Sequence, residues 1–203
     1  TQADMLLYGM SETQIKTLAH GLAKGWPIHK IKDIPGTCYM SRSLPKGNKY
    51  TLISSFEEVS TEKIKFAEAF QIQSREQNPF IGSTLVQKHG DLYLVQLPPA
   101  KPLSQSEMDE LYRLPFTRTY HPRYKNAGGV PALQEVEFSV TDHRGCFGGC
   151  SFCAISFHQG RIIQNRSETS VLDEIRLMTH QPGFKGYIHD IGGPTANFRN
   201  VAC

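Results

Sequence analysis

The chain has 203 residues, 39% hydrophobic and 20% charged, with a formal net charge of +3 at pH 7. That length suits one large or two small globular domains with a buried core. The mild charge, with no dense Lys/Arg stripe, gives no strong signal for a nucleic-acid partner, and no apolar run is long enough to cross a bilayer. Five cysteines, three of them within residues 146–153, do not make a secreted disulfide framework; thiols kept reduced point to the cytoplasm. The chain starts Thr-Gln-Ala-Asp and stops at Cys203 just after a second motif, so it reads as a piece of a longer protein.

In chain order, Met5-Leu-Leu-Tyr8 predicts a short buried strand. Ser11-Glu-Thr-Gln14 fits a capping box opening a helix with Ile15, Leu18, Ala19 and Leu22 on its apolar face, ended by Gly25 before Pro27. A strand and helix across a small-residue turn is the unit of a doubly wound α/β domain, of which only the last piece is expected here. Residues 28–40 read as irregular chain. A helix is predicted over about 60–77, stopping at Asn78-Pro79, and a hairpin over 84–96 around Lys88-His-Gly-Asp91. Ser104-Gln-Ser-Glu107 is a second capping box, opening a short helix with Met108 and Leu111 inward. Residues 114–132 read as loop.

From Gln134 the pattern changes. Val136, Phe138 and Val140 alternate with polar residues and predict a strand over 135–140. A helix follows over 167–179, with Val171, Leu172, Ile175 and Met178 apolar, then a strand over 187–191 running into Gly192-Gly-Pro-Thr-Ala-Asn197. Strand, loop, helix and strand open a parallel sheet or barrel. The expected domains are 1–40 (end of a Rossmann-like domain), 41–133 (connector) and 134–203 (start of a barrel).

On the loop after the first of these strands stands Cys146-Phe-Gly-Gly-Cys-Ser-Phe-Cys153, a C-x₃-C-x₂-C array. Thiolates so spaced can converge on one metal centre, and glycines between them let the backbone wrap closely around it. Structural zinc takes four protein ligands, so His143 or His158 would have to complete a zinc site. An electron-transfer 4Fe-4S cluster usually takes four cysteines, and three would leave one iron open. Cys38 reads as an inert buried thiol. Cys203 is either a chain end or the first of further cysteines.

The C-x₃-C-x₂-C array with an aromatic before its last cysteine resembles the radical S-adenosylmethionine (SAM) superfamily. HRGCFGGCSFCAISFHQGRIIQNRS and KGYIHDIGGPTANF resemble its YgiQ-like subfamily, as do LVQKHGDLYLVQLPPAKPLS and LPFTRTYHP, so the resemblance covers essentially the whole chain. It implies an α/β fold: the start of a radical SAM βα barrel, preceded by the end of a Rossmann-like domain similar to cobalamin-binding ones and by a mixed connector. It implies Cys146, Cys150 and Cys153 as ligands of a 4Fe-4S cluster, Phe152 beside the adenine of SAM, and Gly192-Gly193 meeting the SAM amino group through backbone atoms. Many members carry an acidic residue after those glycines; Pro194 stands there here, so only the backbone role carries over. The implied activity is reductive cleavage of SAM to a 5′-deoxyadenosyl radical that abstracts hydrogen from a substrate, with a flavodoxin-like or ferredoxin-like electron donor as partner. The resemblance names no substrate and does not establish cobalamin binding, for which no histidine ligand motif is present.

Other residues enter as site candidates by position. His189 and Asp190 end the last strand, where a barrel mouth would be. His158, Arg161 and Arg166 follow the cysteines and could face a carboxylate. Glu174 reads as structural. Beside the radical SAM reading stand a zinc-stabilised interaction module and an inactive fragment of the enzyme.

Overall fold

A computed structural model describes residues 3–47 and 49–201 as mixed α/β structure dividing into two compact units. The first comprises residues up to 102 together with 152–160; the second comprises 103–151 and the residues from 161.

The first unit is built on a five-stranded mixed sheet of order β1-β2-β5-β4-β3. Its strands are β1 (Leu6–Leu7), β2 (Thr37–Ser41), β3 (Tyr50–Ile53), β4 (Thr84–His89) and β5 (Leu92–Gln96). The predicted hairpin is β4–β5, with Val86 opposite Val95, both fully buried at the sheet centre. β3 and β4 run parallel, joined through α2 (Phe56–Thr61) and α3 (Lys63–Arg75). The single helix expected over 60–77 is therefore two, interrupted at Glu62, whose φ of −115° and ψ of 110° are extended. The start of α2 carries a signal the sequence reading passed over: Ser55-Phe-Glu-Glu58 forms a complete capping box.

Two expectations near the N-terminus are corrected. Residues 37–41 are not irregular but form β2, placed between β1 and β5. β1 pairs antiparallel with β2, so among the described residues the strand–helix start is not part of a parallel doubly wound sheet. Helix α1 (Glu12–Ala23) forms as predicted, but without a Ser11 side-chain cap. Gln14 is buried and accepts from the Thr13 hydroxyl at 2.8 Å, so it is not available to close a capping box. The buried stripe is Gln14, Leu18 and Gly21, while Ile15 and Leu22 stay exposed. Leu18 packs with Ile31 and Ile34, which explains why residues 28–36 fold back along the helix.

In the second unit the predicted capping box at Ser104 forms completely and opens α4 (Gln105–Tyr112), with Met108 fully buried. The strand expected over 135–140 is displaced. Residues Leu133–Val136 form a short helix, α5, and the strand, β6, is Ser139–Thr141. Residues Ile155–Gln159 of the first unit form α6. β6 lies parallel to β9 (Asp190–Gly192), and α7 (Glu168–Thr179), capped by Ser167, lies between them in sequence. Phe138, Val140, Val171 and Met178 make the core of this βαβ unit; Leu172 is exposed. A two-residue antiparallel ladder joins β7 (His143–Arg144) to β8 (Gln164–Asn165).

A buried charge network braces the second unit. Arg166 is 1% exposed and lies 4.2 Å over the Tyr112 ring. It donates to the Thr141 carbonyl at 2.7 Å, to Ser170, and to the Glu174 carboxylate, which Arg118 also pairs with. Burial draws the pKa of both guanidinium groups down, yet arginine keeps its charge at any ordinary pH. Arg166 is thus a structural anchor rather than a free loop cation, and Glu174 is structural as expected.

Two outcomes follow for stability. Glu174→Gln leaves two guanidinium groups without their counter-charge and should cost on the order of 3 kcal/mol in urea unfolding; a loss below about 1 kcal/mol would show that the pairing behaves like an exposed one. In the first unit, burial raises the Tyr8 phenol above its usual range and the Cys38 thiol to about 11. Both groups therefore ionise more readily unfolded than folded. The Cys38 contribution is complete below the ordinary thiol pKa of 9.0 and is lost as pH rises toward 11, while that of Tyr8 begins to fall only above the ordinary phenol pKa of 10.0. The urea midpoint should fall over that window, and Cys38→Ala should flatten the fall.

Candidate metal and cofactor loop

Residue 142 begins the candidate site, because β6 ends there and the chain turns out of the sheet. The Asp142 amide donates to the Gly192 carbonyl at 3.0 Å, continuing the β6–β9 ladder by one residue. Its buried carboxylate holds Nδ1 of His143, whose ring is fully buried. The other ring nitrogen, Nε2, lies 3.2 Å from the Ala196 carbonyl oxygen and 3.3 Å from the Phe198 amide. With the proton on Nδ1, Nε2 accepts from the Phe198 N–H; with a proton on Nε2, it donates to Ala196. Both nitrogens are occupied within the protein, which removes His143 as a fourth zinc ligand. His158, the other candidate for that position, is exposed on α6.

Three residues on, Cys146 is buried, Cys150 is exposed and Cys153 is partly buried; all are free thiols. The position that a β-carbon on Gly148 would take lies 3.2 Å from the Cys146 sulfur and 3.9 Å from that of Cys150. The backbone at 148 thus runs between two thiols, in space a larger residue would fill. Cys153 and Phe152 lie in the 152–160 stretch that belongs to the first unit; the Phe152 side chain is 90% exposed. Among the described residues, no group of three His, Cys, Asp or Glu side chains could hold a single metal ion. Cys203 lies outside the described residues.

The glycine motif stands next to the first thiol. A β-carbon on Gly193 would overlap the His143 ring at Nε2, Cε1 and Cδ2, so only glycine lets the loop settle there. Beyond it, the Thr195 hydroxyl donates to the Cys146 sulfur at 3.5 Å, Phe198 packs on Phe147 with ring centroids 4.3 Å apart, and Arg199 approaches the Asp142 carboxylate at 3.7 Å. The structure therefore brings together Cys146, Cys150, Gly192 and Gly193 of the expected residues. It adds Asp142, His143 and Thr195, which the sequence reading did not single out for these roles. The available signal was Asp142-His143 standing directly between the end of a strand and the first cysteine.

The remaining candidates disperse. His189 is exposed and stacks on Tyr187, with centroids 5.1 Å apart, and Asp190 is also exposed. Arg161 is exposed. Cys38, expected as an inert buried thiol, is only partly buried, and burial pushes its thiol up to about 11, which favours the less reactive protonated form. Alkylation of the metal-free chain with iodoacetamide, followed by mass spectrometry, should modify Cys150 first, Cys146 more slowly and Cys38 last. Rapid modification of Cys38 in folded protein would contradict its placement in the sheet.

Comparison with known proteins adds the wider frame. Residues 1–139 match the family model described as Radical SAM N-terminal, a match that ends before the first cysteine of the array. The whole chain is 56% identical to the UPF0313 proteins of Clostridium botulinum strains 657 and ATCC 19397, covering 32% of each. It is 52% identical over 202 residues to the UPF0313 protein of Clostridium perfringens strain 13, covering 30% of it. The chain thus spans about a third of the length of these relatives. No solved structure matches it, and no described helix is long and apolar enough to cross a membrane. With its family model covering more than half of its length, the chain belongs to the radical SAM superfamily, through the Radical SAM N-terminal family.

Proposed function

We propose that the parent protein is a radical SAM enzyme and that this chain supplies the cluster loop. Cys146, Cys150 and Cys153 would hold a 4Fe-4S cluster, leaving one iron for SAM. The observation that carries the reading is the array of three unpaired thiols, two of them flanking the Gly148 backbone, with the Gly192-Gly193 segment packed beside the first. The donor set fits: soft thiolates, none tied up in a disulfide, on a loop whose glycine leaves room between them.

The chain's own contributions are specific. Cys146 stays sheltered while Cys150 faces outward, so the loop can receive a cluster from solution. Backbone atoms of Gly192 and Gly193 would meet the amino group of SAM, and the exposed Phe152 ring would pack beside its adenine. With cluster and SAM bound, the chemistry on offer is one-electron reductive cleavage of SAM, which begins hydrogen abstraction from a substrate. A flavodoxin-like or ferredoxin-like protein would deliver the electron. The parallel β6–α7–β9 unit supports a βα barrel as the parent fold, with the cysteine loop leaving the C-terminal end of its first strand. Thiols that must stay reduced to hold the cluster support a cytoplasmic setting for this reading.

Anaerobic reconstitution with iron and sulfide tests the reading. Metal analysis should find about four irons per chain, and the EPR signal of the reduced protein should change when SAM is added. Cys150→Ala should lose the cluster. A Cys150→Ala chain that still holds four irons, or a wild-type chain that takes up only zinc, would overturn the assignment.

A further inference from the structure

The Asp142–His143 pair has no part in the proposed ligand set, although it occupies the most buried position near it. Its ring meets the loop after β9 at several points: the Gly193 backbone, the Ala196 carbonyl and Phe198 amide at Nε2, and the Phe198 ring at 6.4 Å. Asp142 holds the far nitrogen, donates through its own amide to Gly192 and faces Arg199. Residues on both sides of the first cysteine are therefore fastened to residues 192–199. Within that fastened loop, Thr195 places its hydroxyl on the Cys146 sulfur and Phe198 covers Phe147.

We propose that His143, oriented by Asp142, is a positioning residue: it seats the 193–198 loop against Cys146, shielding that thiol and setting Gly193 beside it. The role resembles that of outer partners at metal centres, which orient ligands without touching the metal. It also explains the residue at 193. A buried ring and a glycine backbone occupy one space, so the two positions act as a single contact. The shielding half stands on the geometry alone; the meaning for SAM rests on the reading given under Proposed function.

The first arm uses the metal-free chain and the relative alkylation rates of Cys146, Cys150 and Cys38. His143→Ala frees the loop, and the Cys146 rate should rise roughly tenfold, as expected from losing one or two net hydrogen bonds of a local closed state. Cys150 should not change. Cys38, half-buried in the sheet of the other unit and with its thiol pKa raised by burial, reports general unfolding and should stay slow. His143→Gln retains an amide able to bond the Phe198 N–H and the Ala196 carbonyl, and should restore the slow rate. Gly193→Ala displaces the loop from the opposite side and should reproduce the His143→Ala pattern with the histidine intact. The proposal fails if His143→Ala and Gly193→Ala leave the Cys146 rate at the wild-type value, or if Cys38 rises in step with it in both.

The second arm uses the chain reconstituted with iron and sulfide. Iron content should persist in His143→Ala, because no ligand is removed, while the SAM-dependent change in the EPR signal is lost and His143→Gln recovers it. A SAM response unchanged in His143→Ala overturns the positioning of Gly193. A wild-type chain without iron, or with iron but no SAM response, refutes the SAM half of the proposal. Failure to take up iron counts against the cluster reading, whereas the alkylation rates judge His143 by themselves.

Discussion

The His143 imidazole fills the space in which any side chain at 193 would stand, and the candidate site is arranged around that exclusion. The ring can be fully buried because its polar atoms are all met, Nδ1 by the Asp142 carboxylate and Nε2 by backbone of the 196–198 turn. A buried polar group left without partners is costly, so the loop after β9 cannot drift from the end of β6 without exposing or stranding the ring. Cys146 follows His143 by three residues and inherits its position from this contact. The glycine pair and the first thiol, about 45 residues apart in sequence, meet for that reason.

Behind this contact, the second unit is held by a different device. Arg166 and Arg118 converge on Glu174, and Tyr112 lies beneath the Arg166 guanidinium. Burying three charges is justified only when each is paired and hydrogen-bonded. Here Thr141 and Ser170 take up the remaining Arg166 donors. The network ties β6, α7 and α4 together through side chains, since Asp109 of α4 also accepts from the Ser167 amide that starts α7. It lets a short two-stranded parallel sheet sit at the end of a small apolar core of Phe138, Val140, Val171 and Met178. The first unit, by contrast, relies on a more ordinary arrangement, a mixed sheet whose central Val86–Val95 pair is dry.

Local signals in the sequence proved reliable where the physics is local. Both ends of the hairpin 84–96, the capping box at Ser104 and the helix 168–179 depend on neighbours within a few residues, and each was legible. The helix over 60–77 was read as one because nothing in Ser60-Thr-Glu-Lys63 marks a break, yet the backbone turns extended at Glu62. The Ser11–Gln14 box failed because Gln14 is drawn into the interior, a choice made by α1 packing on residues 31–34. β2 was missed because Thr-Cys-Tyr-Met-Ser has no clean alternation; it is a strand because β1 and β5 lie on either side of it.

The same division runs through the candidate site. The sequence by itself determined the candidate donor set: C-x₃-C-x₂-C, the glycines among the thiols and the Gly192-Gly193 pair are written in an order that spacing alone can read, and they suffice to suggest a cofactor class. Only the tertiary structure decided that Arg166 is a buried anchor, that His143 is tied to Asp142 and the loop backbone instead of a metal, and that Thr195 reaches the Cys146 sulfur. Those outcomes depend on contacts between residues 49 to 55 positions apart, or, for Arg166, on burial against the Tyr112 ring. Residue type and spacing carry chemistry along the chain; which polar atom finds which partner is settled by the packing that removes water from around it.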